Sequence, residues 1–398
     1  MAMQRARELW IGDRLLRLIE AGPPPATEPA VGLRADVYTC PDRHRRELRA
    51  MAAHPAAAVT STEVAEPGDF ATMRLGGVPI IVARDRHGQV HAMHNVCAHR
   101  GSTLEPRAQG SARVLSCGFH GWSYDLDGSL RAVSDAKLFS SSPCERGLRQ
   151  LACEERHGIV WVTADADAAV LGVRDWLGTD LDDLVTDLQI GDMVCHVSTE
   201  LRLDCNWKLL TDGFLELYHL KYLHRNSIAP YFPANLVDFE RCGDHVVTLL
   251  PKNRLVKQLT ERPRDEWDVF EHLSMPIVLT PGTVLQWQAG HVELFSFRPD
   301  PDDPARTVCR LSLLVPADRA GDTELWDRNW ERVCDTIPGE DFAKAVEIQR
   351  NIDAGVVPEL QIGANERFIC EHLAAVDRQI ARHRSHADRA RRATAPTT

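Results

Sequence analysis

The sequence has no continuous apolar stretch long enough to cross a bilayer, so a membrane partner is not expected. Its first segment, Met1 to Gly22, breaks Leu9, Leu15, Leu16 and Ile19 with Arg, Glu and Asp. The apolar region and cleavage site of a secretory signal are therefore missing, and a cytoplasmic protein is expected. Basic charge is in deficit. The 46 Lys and Arg are outnumbered by 57 Asp and Glu, and a net charge of -11 suits a phosphate backbone poorly, so no nucleic-acid partner is expected either. The 11 cysteines are an odd number scattered over 398 residues, which argues against a disulfide scaffold. Cys40, Cys144, Cys153, Cys195, Cys205, Cys242, Cys309, Cys334 and Cys370 have no His or second Cys at ligand spacing and read as buried or half-buried free thiols. No internal repeat is visible. No G-x-G-x-x-G loop opens a helix after a strand, so this chain should not itself bind a dinucleotide.

What is present is enough for two domains. With 44% hydrophobic residues the chain can bury two separate cores. We divide it into a helix and linker over 1–56, a small β domain over 57–165, a mixed domain over 166–385 and a disordered tail over 386–398. The linker is Pro-rich from Pro23 to Pro29. In the β domain, Val78–Ala83 and Val90–Val96 read as strands around an Asp85–Gly88 turn, with a second turn at Asp125–Gly128 and a late strand at Gly158–Val162. In the mixed domain, Val173–Ile190 is an acidic helical stretch, 195–204 a strand, and Asn206–Tyr222 a helix with Leu209, Phe214, Leu217 and Leu220 among polar residues. Val246–Leu250, Thr283–Gln288, Val292–Arg298 and Thr307–Val315 follow as strands. Helices over Glu340–Ile352, after a Pro338-Gly339 breaker, and over Glu366–Arg384 close the chain. The fold class is α+β.

Two cysteines stand apart from the other nine. Cys97-Ala98-His99 and Cys117-Gly118-Phe119-His120 form two Cys/His pairs with 17 residues between them. Each pair lies in a Gly-containing loop after a strand. Thiolates stabilise ferric iron and neutral imidazoles add no charge, so Cys2His2 ligation of a [2Fe-2S] cluster raises its potential above that of an all-Cys cluster. Gly101, Gly118 and Gly121 let the loop backbone approach closely, and loop N–H groups could donate to the sulfurs. A structural zinc site is the alternative, but zinc fingers commonly pair Cys with Cys and His with His. One Cys and one His per loop suits two irons better. His91, His94 and His157 are lone histidines near strands and read as surface or structural groups.

At this point the sequence resembles a known family. Cys97-Ala98-His99-Arg100-Gly101 with Cys117-Gly118-Phe119-His120-Gly121-Trp122-Ser123-Tyr124 resembles the cluster-binding loops of Rieske domains, above all those of Rieske non-haem iron oxygenases. The resemblance implies that Cys97, His99, Cys117 and His120 bind a Rieske [2Fe-2S] cluster.

A second polar constellation runs from Asn206-Trp207-Lys208 through Asp212, Glu216, His219 and His224. On a helix, Glu216 and His219 share a face, as do Asp212 and Glu216. His219 and His224 are five apart, so converging on one metal requires a π-bulge or a helix end between them. Two His and one carboxylate on one face of a metal form the facial triad of non-haem Fe(II) oxygenases. A helix with satisfied, partly buried histidines accounts for the same residues. The carboxylate must come from elsewhere. In Glu340-Asp341-Phe342-Ala343-Lys344-Ala345-Val346-Glu347-Ile348-Gln349, a charged solvated stripe holds Glu340, Lys344 and Glu347, while Asp341, Ala345 and Ile348 lie on the apolar side. An acid there needs a partner such as a metal, unless it only favours the helix dipole.

The same family decides between these readings. Asn206 to His224 resembles its mononuclear-iron segment, and the acidic pair followed by seven residues and then Gln349 resembles its carboxylate-ligand helix. The resemblance implies Fe(II) held by His219, His224 and Asp341, with Asp341 ahead of Glu340. It assigns Glu216 to the link between His219 and a cluster-ligating His of a neighbouring subunit, and so implies a homotrimer. Many members carry Asp at this link; others, some acting on quaternary ammonium compounds, carry Glu. Asp212 is a second candidate near the site, where hydrogen bonding is its simpler role. Thr283–Val315 resembles the family's curved sheet, and Gly363-Ala364-Asn365-Glu366 with the helix after it resembles its C-terminal segment.

The implied fold is an N-terminal all-β Rieske domain followed by a helix-grip catalytic domain, a curved antiparallel sheet wrapped around helices. The implied function is an oxygenase that uses O2 and electrons relayed from NAD(P)H through a separate ferredoxin or flavin reductase. Ring hydroxylation or dihydroxylation of an aromatic substrate is the leading expectation. Monooxygenation or demethylation of a quaternary ammonium or N/O-methyl substrate is the first alternative, and a non-catalytic electron-transfer or ligand-binding Rieske protein is the second. A cation would need an aromatic cage, for which Tyr222, Tyr231, Phe232 and Trp287 are candidates.

Overall fold

The computed structural model describes residues 2–22, 29–139, 147–234 and 236–394, so Cys144 and all of the proline-rich linker except Pro29 lie outside it. The described residues fall into two compact units, Met51–Trp176 on one side and Met1–Ala50 with Leu177–Thr398 on the other.

The Met51–Trp176 unit is built on an antiparallel sheet of seven strands. Across it run Ala56–Thr60, Ile159–Thr163, Gln150–Arg156, Val90–His94, Val78–Arg84, Asp69–Leu75 and Gln109–Ser111. The β-branched run Val78–Arg84 pairs with Val90–His94 in a hairpin. Its turn is closed by Asp85, whose carboxylate accepts the N–H groups of His87 and Gln89. Alternation splits the sheet into two cores. One face packs Val59, Ile80, Val82 and Val160, and the other packs Phe70, Ile81, Met93 and Tyr124. The second face includes Cys97 and Cys117, so both thiols belong to a packed core. A three-stranded sheet of Leu115–Ser116, Ser123–Tyr124 and Leu130–Ala132 carries the second Cys/His loop.

The other unit centres on a second seven-stranded antiparallel sheet. Its order is Met193–Leu203, Thr307–Pro316, His291–Pro299, Thr283–Gln288, Leu273–Leu279, His245–Pro251 and Asp238–Cys242. Leu273–Leu279 is buried at every position, so its apolar run reads as continuous rather than alternating. The N-terminal segment belongs to this unit. Helix Ala2–Ala21 is tied to the sheet edge by Arg14, which pairs with Asp238 and Glu240, and by Glu8, which accepts the Val269 N–H at 2.8 Å. Val31–Arg34 pairs with Glu359–Ile362.

Four expectations need correction. The acidic stretch is two helices, Val173–Leu177 and Thr179–Asp187, separated at Gly178 with φ of 78°. Asn206–Tyr222 is not one helix: the chain is helical over Trp207–Asp212 and again over Leu220–Leu223. Pro338-Gly339 is no breaker, because it lies inside a π-helical segment, Ile337–Phe342, that joins Thr323–Thr336 to Ala343–Asp353. A proline removes one N–H and crowds the preceding turn, and the wider π turn accommodates both. The tail expected to fray from His386 continues as helix to Thr394, in keeping with its Ala and Arg content; residues 395–398 lie outside the described structure.

Candidate functional site

The two Cys/His loops have the same local construction. Cys97 O accepts the Gly101 N–H at 3.0 Å, and Cys117 O accepts the Gly121 N–H at 3.0 Å. The glycines take φ of 79° and 68°, a region costly to a residue with a Cβ. Each loop closes with its Cys N–H donating to a carbonyl, that of Ser102 or Trp122. The two turns thus bury both sulfurs and leave the imidazoles at the rim, where the rings of His99 and His120 meet edge-on at 4.7 Å. Trp122 stacks on His99 at 4.7 Å and fixes that ring. The sulfurs are solvated by the protein itself. Tyr124 Oη lies 3.2 Å from Cys97 Sγ and accepts the Ala98 N–H at 3.0 Å. Burial raises the Cys117 thiol, but backbone donors at Phe119 and His120, with Cys97 and Ser102, more than offset it and hold its pKa below the ordinary value. Such a pocket favours thiolate, the form that ligates metal. Cys97, His99, Cys117 and His120 therefore fit a Rieske cluster in donor type and electrostatics.

In the other unit, the break in the expected helix gathers the second set of residues. Helix Trp207–Asp212 is capped by Asn206, whose side chain accepts the Lys208 N–H. After the break, the single turn Leu220–Leu223 is flanked by His219 before it and His224 after it, so both ends of the helix lie between the pair. Asp341 reaches both histidines, with its Oδ1 3.3 Å from His219 Nε2 and 3.2 Å from His224 Nε2. Among the described residues these three form one group whose ligand atoms all lie within 4.8 Å of one another. Two neutral imidazoles and a carboxylate at that spacing suit a divalent iron with positions left open.

The far nitrogen of each imidazole is also held. His219 Nδ1 donates to Glu216, which also accepts the N–H groups of Tyr218 and His219. His224 Nδ1 donates to Glu340, which also accepts from Ser227 Oγ at 2.8 Å. Carboxylates in this position set the tautomer and raise ligand basicity. For His224, burial works against the charged form, but hydrogen bonds to Asp341 and Glu340 outweigh it and raise the pKa. Glu340 therefore leaves the solvated stripe assigned to it, because the π turn adds a residue and rotates both Glu340 and Asp341 toward the histidines. The sequence signal was the adjacent acid pair beside Pro-Gly, which marks an irregular turn.

Asp212 ends the helix that precedes this set in the chain. Its Oδ2 accepts from Tyr38 Oη at 2.7 Å, while Oδ1 is buried with no partner among the described residues. Burial pushes its carboxyl up to about 7, against the opposing pull of Tyr38 and Lys208 and with help from the Glu216 charge. Lys208 is itself buried and pairs with Glu47 at 2.6 Å.

A cavity of about 520 Å³ opens beside the histidines and Asp341. Phe214, Tyr231, Phe232 and Trp326 contribute aromatic surface to it. Of the four cage candidates, Tyr231 and Phe232 line this cavity, whereas Tyr222 is exposed and Trp287 packs edge-on against Phe270. The wall also carries Lys252, Glu271, Gln286, His291 and Glu293.

Comparisons with known proteins match both parts of the chain. Residues 54–142 match the Rieske [2Fe-2S] domain, and residues 190–382 match the ring hydroxylating alpha subunit (catalytic domain). The chain belongs to the Rieske non-haem iron oxygenase alpha-subunit family. The cofactors of this family are a [2Fe-2S] cluster and Fe(II). The chain is 32% identical to the chloroplastic choline monooxygenase of Beta vulgaris over 191 residues, 47% of this chain and 41% of that one. It is 33% identical to the large subunit of anthranilate 1,2-dioxygenase of Acinetobacter baylyi over 194 residues, 47% and 41% of the two chains. The glycine betaine monooxygenase oxygenase subunit of Chromohalobacter salexigens is 30% identical over 223 residues, 56% of this chain and 48% of that one. The matched stretches thus span less than half the length of these relatives. Among solved structures, the quaternary ammonium Rieske monooxygenase CntA with L-carnitine superposes with a TM-score of 0.71 at 21% identity, covering 88% of this chain and 96% of that one. Naphthalene 1,2-dioxygenase from Rhodococcus sp. gives 0.71 at 18%, covering 88% and 94%. These likenesses establish the fold, with its curled sheet and helices. No helix among the described residues is long and apolar enough to cross a membrane.

Proposed function

We propose that this chain is the oxygenase component of a multi-protein system that hydroxylates, or demethylates through hydroxylation, a small substrate bearing a positively charged nitrogen. One observation carries the charged-substrate reading: the buried Glu293 carboxylate on the cavity wall has an oxygen, Oε2, with no partner among the described residues. An aromatic hydrocarbon would leave that oxygen unsatisfied, and a cation would offer it a charge partner in addition to His291, which lies 3.7 Å from Oε1. The relatives named for choline and glycine betaine support the same direction. Aromatic-ring hydroxylation is the second reading, favoured by the relative named for anthranilate.

The proposed division of labour takes 57–165 as the cluster domain, through Cys97, His99, Cys117 and His120, and 166–385 as the catalytic domain, with His219, His224 and Asp341 holding the Fe(II). When bound, the cluster supplies single electrons and the Fe(II) supplies O2 activation. Glu216 and Glu340 accept the Nδ1–H of their histidines, which keeps both Nε2 lone pairs turned toward Asp341. Phe214, Phe232 and Trp326 exclude water around the reacting carbon. Glu216 is also the proposed link to a cluster-ligating histidine in a neighbouring subunit of a homotrimer. Electrons would come from NAD(P)H through a separate ferredoxin or flavin reductase. Overall, one C–H bond, O2, two electrons and two protons become C–OH and water. The cytoplasm is the proposed compartment, consistent with ten free cysteines among the described residues.

The test is NADH-dependent O2 uptake with a reductase and ferredoxin, using choline, glycine betaine, indole and naphthalene, with formaldehyde and hydroxylated products quantified. Product formed in proportion to O2 from the methylated ammonium compounds is expected. Turnover confined to the neutral aromatic rings would sink the charged-substrate reading.

A further inference from the structure

The cavity beside the histidines has polar groups of both charges on its wall, and the protein leaves several of them unpaired. Gln286 and Glu293 face each other across adjacent strands of the sheet. Their buried oxygens, Gln286 Oε1 and Glu293 Oε2, both lack a partner among the described residues. The rest of each side chain is anchored. Gln286 Nε2 donates to Ser274 Oγ at 2.8 Å, and Glu293 Oε1 lies 3.7 Å from His291 Nε2. Two unpaired acceptors, directly opposite on paired strands and about 5 Å apart at their Cβ atoms, make a receptor for a cation or a donor group.

The same cavity is lined by Lys252, which forms no ion pair among the described residues. It sits at the head of helix Asn253–Glu261, and its main chain is fixed by the Lys252 N–H to His272 O bond of 3.0 Å. Burial lowers its pKa, opposed by the charges of Glu271 and Glu293, with Arg332 acting in the same direction as burial. Of the two arginines on this wall, Arg319 is taken up by Asp322 and by the Trp326 ring, whereas Arg332 has no such partner among the described residues. The wall therefore carries both signs: an acceptor pair at Gln286 and Glu293 and the Glu271 carboxylate, and cationic groups at Lys252 and Arg332.

We infer that the substrate is a zwitterion, with its cationic head received by Glu293 and Gln286 and its anionic group, a carboxylate, received by Lys252. This rests on the charged-substrate reading above and adds the second charge. It makes Glu293 and Lys252 specificity-determining residues with separate tasks. A ligand of one charge leaves one of the two sites buried and unpaired, which is how a polar site rejects an incomplete ligand.

The experiment uses the full chain loaded with its metals and two ligands of matched shape, glycine betaine with a carboxylate and choline with a hydroxymethyl group in its place. Affinities are measured by titration calorimetry, beside coupled O2 uptake. Glycine betaine is expected to bind at least tenfold more tightly than choline. Lys252→Met should remove that preference by weakening glycine betaine and relieving the penalty on choline, and Lys252→Arg should restore most of it. Glu293→Gln should weaken both ligands by a similar factor of about tenfold or more. Far-ultraviolet circular dichroism and the Rieske absorption check that each variant is folded. If wild type binds both ligands equally, or if Lys252→Met keeps the preference, the zwitterion inference is wrong while the cation reading stands. If Glu293→Gln changes neither affinity, the cation reading itself fails.

Discussion

Replacing Glu340 with Gln tests whether the carboxylate behind His224 controls the metal site. The residue touches no substrate and offers no ligand atom to the His219, His224 and Asp341 group. Its contribution passes through His224, which is buried with 3% side-chain exposure, so water cannot take over the lost acceptor. Gln preserves length but removes the charge, and it can present an N–H where an acceptor is needed. Losing a charge-assisted hydrogen bond of this kind costs about 1.5–3 kcal/mol. That corresponds to roughly 10–100-fold in metal affinity, the range known for such outer carboxylates. Ser227 Oγ also depends on Glu340, so Ser227→Ala should reproduce a small part of the effect. The assay is a chelator titration of the loaded protein, following iron against acid-labile sulfide. The cluster residues belong to the Met51–Trp176 unit, which makes the Rieske absorption an internal control. One iron per chain should be lost at a chelator concentration roughly 10–100 times lower than in wild type, with sulfide unchanged. An unaltered titration midpoint would show that the Glu340–His224 contact has no energetic role.

Further outcomes follow from the same geometry. Asp341→Ala should empty the mononuclear site, abolish substrate-dependent O2 uptake and leave the cluster spectrum intact; full activity in this variant would overturn the third ligand. Asp212 has a folded pKa of about 7, above its ordinary 3.8, so the folded state binds the extra proton and stability falls as pH rises from about 4 to about 7. The loss amounts to about 4 kcal/mol at most, and Asp212→Asn should flatten that slope in denaturant unfolding measured across pH. Lys208→Met leaves the buried Glu47 with Arg43 as its remaining cation, and should lower stability by about 3 kcal/mol in the same unfolding assay.

Some of this molecule was legible in the sequence because the information was local. Each Cys/His loop closes on itself within five residues, with a carbonyl-to-glycine bond and a glycine at positive φ. Residue type and spacing therefore specify both the turn and the donor set. The same holds for the hairpin around Asp85–Gly88, where the turn chemistry lies in the turn itself. The spacing of His219 and His224 also carried its own demand for a helix end between them, and the chain meets it on both sides of one short turn.

Other features depended on residues far apart in the chain. Glu340 read as a solvated charge because an ideal α-helix was extended through Pro338 and Gly339; the π turn placed it instead on a histidine 116 residues earlier. Asp212 acquired its buried phenol from Tyr38, 174 positions away. The charged cavity wall could not be read from the strands alone, because alternation says which side chains share a face but not which face closes over a cavity. Strand register set Gln286 opposite Glu293, and the turn of the chain before helix Asn253–Glu261 brought Lys252 to the same cavity. The sequence by itself thus determined the cluster donor set, since Cys97, His99, Cys117 and His120 reside in two short motifs, whereas the mononuclear set drew Asp341 from 117 residues beyond His224 and needed the family resemblance. The tertiary structure alone decided what surrounds them and which charges meet the substrate, since burial and pairing are properties of packed elements and not of their order along the chain.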